Sequence, residues 1–231
     1  MSRSLLLALE LSQGEGGVAA ACEDGGEWVR LISSGDRERD QVMPAIDAVV
    51  REAGCTPTDI RALAVSTGPG GFTGLRVAVA TAKMIAVATG AVLLPIETSA
   101  VVAAGWEGDG VALVVLAVKR ETFWLSRVEQ PNKRDGDWIV AGSLGDAAAI
   151  RTQLARGDVA VVLADEHLPP DAAEACGVAG VPVVPPTFDP RALVAVGKRR
   201  LTRGAVVDAA QLLPIYPREP EAVRKWKETA R

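Results

Sequence analysis

The chain has 231 residues, 48% hydrophobic and 23% charged, with a formal net charge of −4. This suits one large domain or two small ones with a core of their own, and it excludes a disordered chain. The acidic balance gives no bulk attraction for nucleic acid, so any RNA contact must be local or made by a partner.

Residues 4–11 (SLLLALEL) read as a buried strand. Glu10 inside this apolar run argues against a secretory signal and predicts a cytoplasmic start. No uninterrupted apolar run nears the ~18 residues of a membrane span. Strands at 17–23 and 27–33 follow at hairpin spacing around Asp24-Gly25-Gly26. A helix is predicted at 40–53, where Val42, Met43, Ile46, Val49, Val50 and Ala53 make one apolar face and Pro44 must sit in the first turn.

A strand at 60–67, a sharp turn at 68–72, a helix at 74–89, a strand at 91–96 and a short helix at 98–104 complete the first half. A three-strand meander followed by alternating helices and strands is a ribonuclease H-like pattern. The second half echoes it in pattern but not in sequence. Strands at 111–118 and 122–129, a helix at 146–155 and a strand at 159–163 are expected. The turn cluster near Gly105–Gly110 divides the chain into subdomains at 1–105 and 106–231. The proline-rich stretch 165–190 should hold only short regular structure. A helix at about 190–203 and a polar tail, possible as helix after Pro220, end the chain.

Cys22, Cys55 and Cys176 are far apart and form no Cys-x-x-Cys, so they read as small buried thiols. His167 is the single histidine, which excludes a histidine-clustered metallopeptidase, and its loop setting makes it a solvated residue. Trp28, Trp106, Trp124, Trp138 and Trp226 are too dispersed for an RNA-stacking platform and read as packing residues. Lys198, Arg199, Arg200 and Arg203 make a small basic cluster, read as a solvated helix end with a tRNA contact as the alternative.

The segment VSTGPGGFTGLRVAVATAKMIAVATG (65–90) carries the most information. Thr73 is placed as N-cap, with Phe72 and Val77 at the positions of a hydrophobic staple. Gly74, Ala78, Ala82 and Ala86 form a stripe of small side chains that lets another backbone approach. The approaching element is this domain's own sheet or a partner helix, or both on different faces, since Val77, Met84, Ile85 and Val87 offer other apolar contacts. The turn lacks the Gly-Lys-Ser/Thr ending of a Walker A loop and the Gly-x-Gly-x-x-Gly order of a dinucleotide fold.

GPGGFTGLR (Gly68, Pro69, Gly70, Gly71, Phe72, Thr73, Gly74, Leu75, Arg76) resembles the GPGSFTGLR signature of the TsaB (YeaZ) family. LLALELS, DQVMPAIDAVV, PIETSAVVA, LAVKRETFW and PIYPREPEAVRKWK resemble further family segments in the same order. The resemblance implies an α/β, actin-like (ASKHA) fold of two ribonuclease H-like subdomains with mixed sheets. It also implies a cytoplasmic, non-catalytic protein without cofactor or metal of its own. Such a protein pairs with the related transferase TsaD in making threonylcarbamoyladenosine beside the tRNA anticodon, with a TsaE ATPase in the larger complex. It would meet tRNA only through that complex, would form a homodimer when alone, and would not bind membrane. By analogy, Gln41, Met43, Arg76, Ala78, Val79, Ala82, Lys83 and Ala86 on the two helices would face the partner.

Several positions depart from the family. Glu10 stands for an Asp, Glu38 for a His, Gly71 for the signature Ser, Ala117 for the hairpin Asp and Pro217 for a Leu. The glycine between Arg120 and Glu121 is missing. Two other functions remain open. One is an actin-like phosphotransferase or hydrolase using Glu10, Ser12 and Gln13 with Gly68–Gly71 near the phosphates. The other is a stand-alone homodimer.

Overall fold

The computed structural model describes residues 3–32, 41–119, 121–129, 140–217 and 226. Expectations for Glu38, Arg120, Trp138 and most of the polar tail therefore lie outside the described residues. Two five-stranded sheets form the scaffold.

The first sheet holds β1 (Leu5–Glu10), β2 (Gly16–Cys22), β3 (Glu27–Ile32), β4 (Ile60–Gly68) and β5 (Val92–Glu97), ordered β3-β2-β1-β4-β5. β1, β2 and β3 form the antiparallel meander, and β4 and β5 join in parallel through helical crossovers. Strand alternation sends Leu5, Leu7 and Leu9 to one face, where α1 (Val42–Glu52) and α2 (Phe72–Thr89) pack. Pro44 falls in the first turn of α1, where its missing N–H costs no helix bond.

Leu6 and Ala8 point to the opposite face, against α3 (Thr98–Ala104) and α6 (Pro190–Thr202). The small residues Ala8, Ala19, Ala62 and Ala64 let α6 come close. A Cβ on Gly197 of α6 would lie 2.8 Å from that of Ala64.

The second sheet holds β6 (Val111–Lys119), β7 (Thr122–Glu129), β8 (Val140–Gly145), β9 (Val159–Ala164) and β10 (Val183–Val184), ordered β10-β9-β6-β7-β8. Matching β6–β10 to β1–β5 gives the same connectivity, so both sheets are ribonuclease H-like and the expected α/β fold is present. α4 (Ala147–Leu154) and α5 (Pro170–Ala179) flank this sheet.

Two features correct the sequence reading. β8 was not expected. α5 is a ten-residue helix inside the proline-rich stretch, because Pro170 occupies its first turn and Gly180 caps it at φ +67°. α6 and the bridge from Val207 to Leu93 lie on the first sheet.

α2 meets the length and composition of a membrane span. One of its faces, with Leu75, Ala78, Val79, Thr81 and Ala82, is buried in the chain's own core.

Candidate functional site

β4 leads into the glycine turn through Gly68, at φ +109° and followed by a cis bond to Pro69. Gly70 and Gly74 lie against the end of β1. A Cβ at Gly70 would sit 2.1 Å from the Ser12 carbonyl oxygen, which the Gly71 amide already engages at 2.6 Å. Helix α2 begins at Phe72 with Gly71 as N-cap and no side-chain cap. The expected Thr73 cap is therefore not formed: close seating on Ser12 starts the helix earlier, and Thr73 lies within its first turn.

The expected Phe72–Val77 staple is replaced by an aromatic stack. Phe72 is at the first helical position and packs on Tyr216, ring centroids 5.4 Å apart. The Arg76 guanidinium lies 3.6 Å over the Phe72 ring, and its Nε donates to the Tyr216 hydroxyl at 3.0 Å. The Ile215 amide donates to the Thr67 carbonyl at 2.7 Å, so the C-terminal segment runs across the turn.

Glu10 ends β1 fully buried. Its Oε1 accepts from the Ser12 amide at 2.9 Å and from the Ser12 hydroxyl, while Oε2 has no protein partner. Burial raises its carboxyl above the ordinary value, with the Ser12 bonds opposing. Nearby, Ser66 and Thr98 share a hydrogen bond of 3.0 Å. The structure thus brings Glu10, Ser12 and the Gly70–Gly71 turn together, with Gln13 half-buried beside them. The polar groups mostly engage one another, and the Gly71 amide that an anion would need is donated to Ser12. Among the described residues no cluster of three or more His, Cys, Asp or Glu forms a metal-ligand set.

The remaining predicted residues divide by accessibility. Gln41, Met43 and Arg76 are exposed, and Lys83 and Ala86 are half-buried. Ala78, Val79 and Ala82 are buried against the first sheet, so the small-residue stripe serves internal packing and is not open to a partner. The outer face of α2 consists instead of Arg76, Ala80, Met84 and Val87, with Met84 65% and Val87 80% exposed. Of the other apolar contacts expected on this helix, Met84 and Val87 lie on the outer face and Val77 and Ile85 are half-buried; sequence reasoning missed Ala80, although its spacing of four from Arg76 and Met84 carries the signal.

His167 is exposed in its loop beside Asp165. Trp28, Trp106 and Trp124 pack on core clusters, whereas Trp226 is exposed. All three cysteines are buried and free.

A protein-family profile described as "TsaD: tRNA N6-adenosine threonylcarbamoyltransferase" matches residues 35–139. The tRNA threonylcarbamoyladenosine biosynthesis protein TsaB of Escherichia coli (strain K12) is 30% identical over 107 residues, which cover 44% of this chain. That match spans under half of the relative, 45% of its length. YeaZ from Pseudomonas aeruginosa superposes with a TM-score of 0.71 at 21% identity, covering 92% of this chain and 99% of that one. A second structure, an uncharacterized protein with similarity to peptidase YeaZ from Pseudomonas aeruginosa, gives a TM-score of 0.73 at 20% identity, covering 93% of this chain and 100% of that one. The chain thus has the actin-like, ribonuclease H-like fold of the two YeaZ structures and is similar in sequence to TsaB over less than half of its length.

Proposed function

We propose that this chain is a cytoplasmic, non-catalytic partner of a TsaD-like threonylcarbamoyltransferase. It assists formation of threonylcarbamoyladenosine beside the tRNA anticodon and docks through the outer face of α2 together with α1. One observation carries the reading. α2 is a core helix whose solvent side, Ala80, Met84 and Val87, is also apolar. A helix apolar on both sides calls for a second packing partner. Met43, 53% exposed on α1, lies on a helix resting on the same face of the sheet.

In this reading a TsaE-like ATPase joins the larger complex, and tRNA is met only there. Without the transferase, the same face pairs with a second copy of the chain. The units at 1–105 and 106–231 serve as docking and supporting subdomains, with α6 borrowed by the first.

The test is co-expression with the TsaD-like transferase of the same organism, followed by size exclusion with light scattering. A one-to-one complex that is lost in Ala80→Glu/Met84→Glu, with thermal stability retained, supports the reading. Absence of any complex at low salt and micromolar concentration sinks it. ATP binding to the isolated chain by calorimetry would favour the phosphotransferase alternative built on Glu10, Ser12 and Gln13.

A further inference from the structure

The segment after α6 follows an unusual path. Val207 pairs with Leu93 at the edge of the first sheet, and Leu212 is fully buried in the core beneath α2. From there the chain crosses the glycine turn. The Ile215 amide binds Thr67, and a Cβ at Gly68 would meet the Ile215 carbonyl oxygen at 2.9 Å. Pro214 and Pro217 have no N–H, so this stretch cannot be held by a full strand ladder. Side chains close it instead. Tyr216 receives the Arg76 hydrogen bond and packs on Phe72, beneath the same guanidinium. Leu213, 63% exposed, faces outward from the segment.

We propose that residues 212–217 form a strap, latched by Arg76, that must be seated over the glycine turn for the outer face of α2 to accept its protein partner. This rests on the reading of α2 as a docking helix. Seating does two physical things. It holds the Arg76 side chain flat on Phe72 instead of leaving it to sample solvent, so ordering that side chain costs nothing at association. It also extends the apolar face with Phe72, Tyr216 and Leu213, which suits a partner surface of apolar and aromatic character. Arg76 is a positioning residue, because it acts through Tyr216 and the strap.

The chain has a single tyrosine, so biosynthetic 3-fluorotyrosine gives one fluorine resonance that reads the strap alone. In the free wild-type chain that resonance should stand apart from its position in the denatured chain. Arg76→Ala should move it to the denatured position. Arg76→Lys should do the same, because lysine keeps the charge but lacks the planar guanidinium and its Nε donor. Ile215→Pro removes the donor to Thr67 without altering any α2 side chain and should also release the strap. Affinity for the TsaD-like transferase should fall about tenfold in both Arg76→Ala and Ile215→Pro.

A wild-type resonance at the denatured position, or one unmoved by Arg76→Ala, overturns the latch. A released strap with unchanged affinity, while Ala80→Glu/Met84→Glu still abolishes the complex, overturns the strap's role and leaves the docking reading standing. A wild-type chain with a seated strap that binds no transferase fails the docking reading, and the strap's role falls with it.

Discussion

A Cβ at position 74 would lie 2.0 Å from the carbonyl oxygen of Leu11, so Gly74 lets α2 rest directly on the chain leaving β1. The obstacle is backbone, which cannot swing aside as a side-chain tip can. Gly74→Ala should therefore lower stability by about 1–3 kcal/mol through overpacking, or roughly 2–4 °C of melting temperature per kcal/mol. Gly177→Ala is the control, because a Cβ there meets nothing within 4 Å and lies in α5. It should be neutral or stabilising by about 0.4–1 kcal/mol. Thermal unfolding that shows equal loss in both variants contradicts this account.

The two faces of α2 should respond oppositely to substitution. Ala82 is fully buried, and Ala82→Leu adds volume to a packed core, which should cost about 1–3 kcal/mol. Ala80 is exposed, and Ala80→Glu should change stability by no more than about 0.5 kcal/mol. Urea unfolding of both variants at constant slope checks the pair. A large loss in Ala80→Glu would place that residue in the core.

Glu10 gives a pH dependence of definite sign. Burial raises its folded-state carboxyl above 4.5, so the native state holds this proton more tightly than the unfolded chain. Its favourable contribution is therefore full below about the unfolded value and is lost as pH rises through the raised one. Glu97, raised by burial with Arg200 opposing, acts in the same direction. Glu10→Gln should match the wild type near pH 4 and exceed it in melting temperature as pH rises toward 8. A difference that stays constant across that range would remove Glu10 as its source.

Burial, with the Cys55 thiol beside it, pushes the Cys22 thiol up to about 11 from 9.0. At pH 8 its thiolate is then roughly a hundredfold scarcer than in an ordinary thiol. Iodoacetamide should leave Cys22, Cys55 and Cys176 unmodified in the native chain and label all three after denaturation, read by mass. Native labelling of Cys22 within minutes would contradict its buried, protonated state.

The first sheet was legible because its strands are long apolar runs and its helices have clear faces and stops, as at Val42–Glu52 and Gly90. β8 was not, because VAGSLG carries two glycines and little β-branched character. Those glycines have a tertiary cause that no local pattern displays. A Cβ at Gly142 would strike the Trp124 indole at 2.2 Å, and one at Gly145 would meet Leu125 at 2.6 Å. α5 was obscured by counting prolines as breakers where Pro170 is an opener. At the candidate site, the motif located the turn and both helices. It could not tell which side of α2 meets its own sheet, since Ala78, Ala80 and Ala82 look alike until the fold buries the first and last. The packing of Tyr216 on Phe72 and Arg76 joins residues far apart in sequence and has no local signature.

The return of α6 to the first sheet also sets an order of events during synthesis. Leu6, Ala8, Ala62, Ala64 and Leu94 emerge from the ribosome long before Leu193, Val194 and Val196, which cover them. Until Pro190–Thr202 has been made, one face of the central sheet has an incomplete apolar covering. The nascent chain is therefore exposed to misassociation over most of its translation, and a chain stopped before α6 would be a substrate for chaperones and proteases rather than a smaller folded domain.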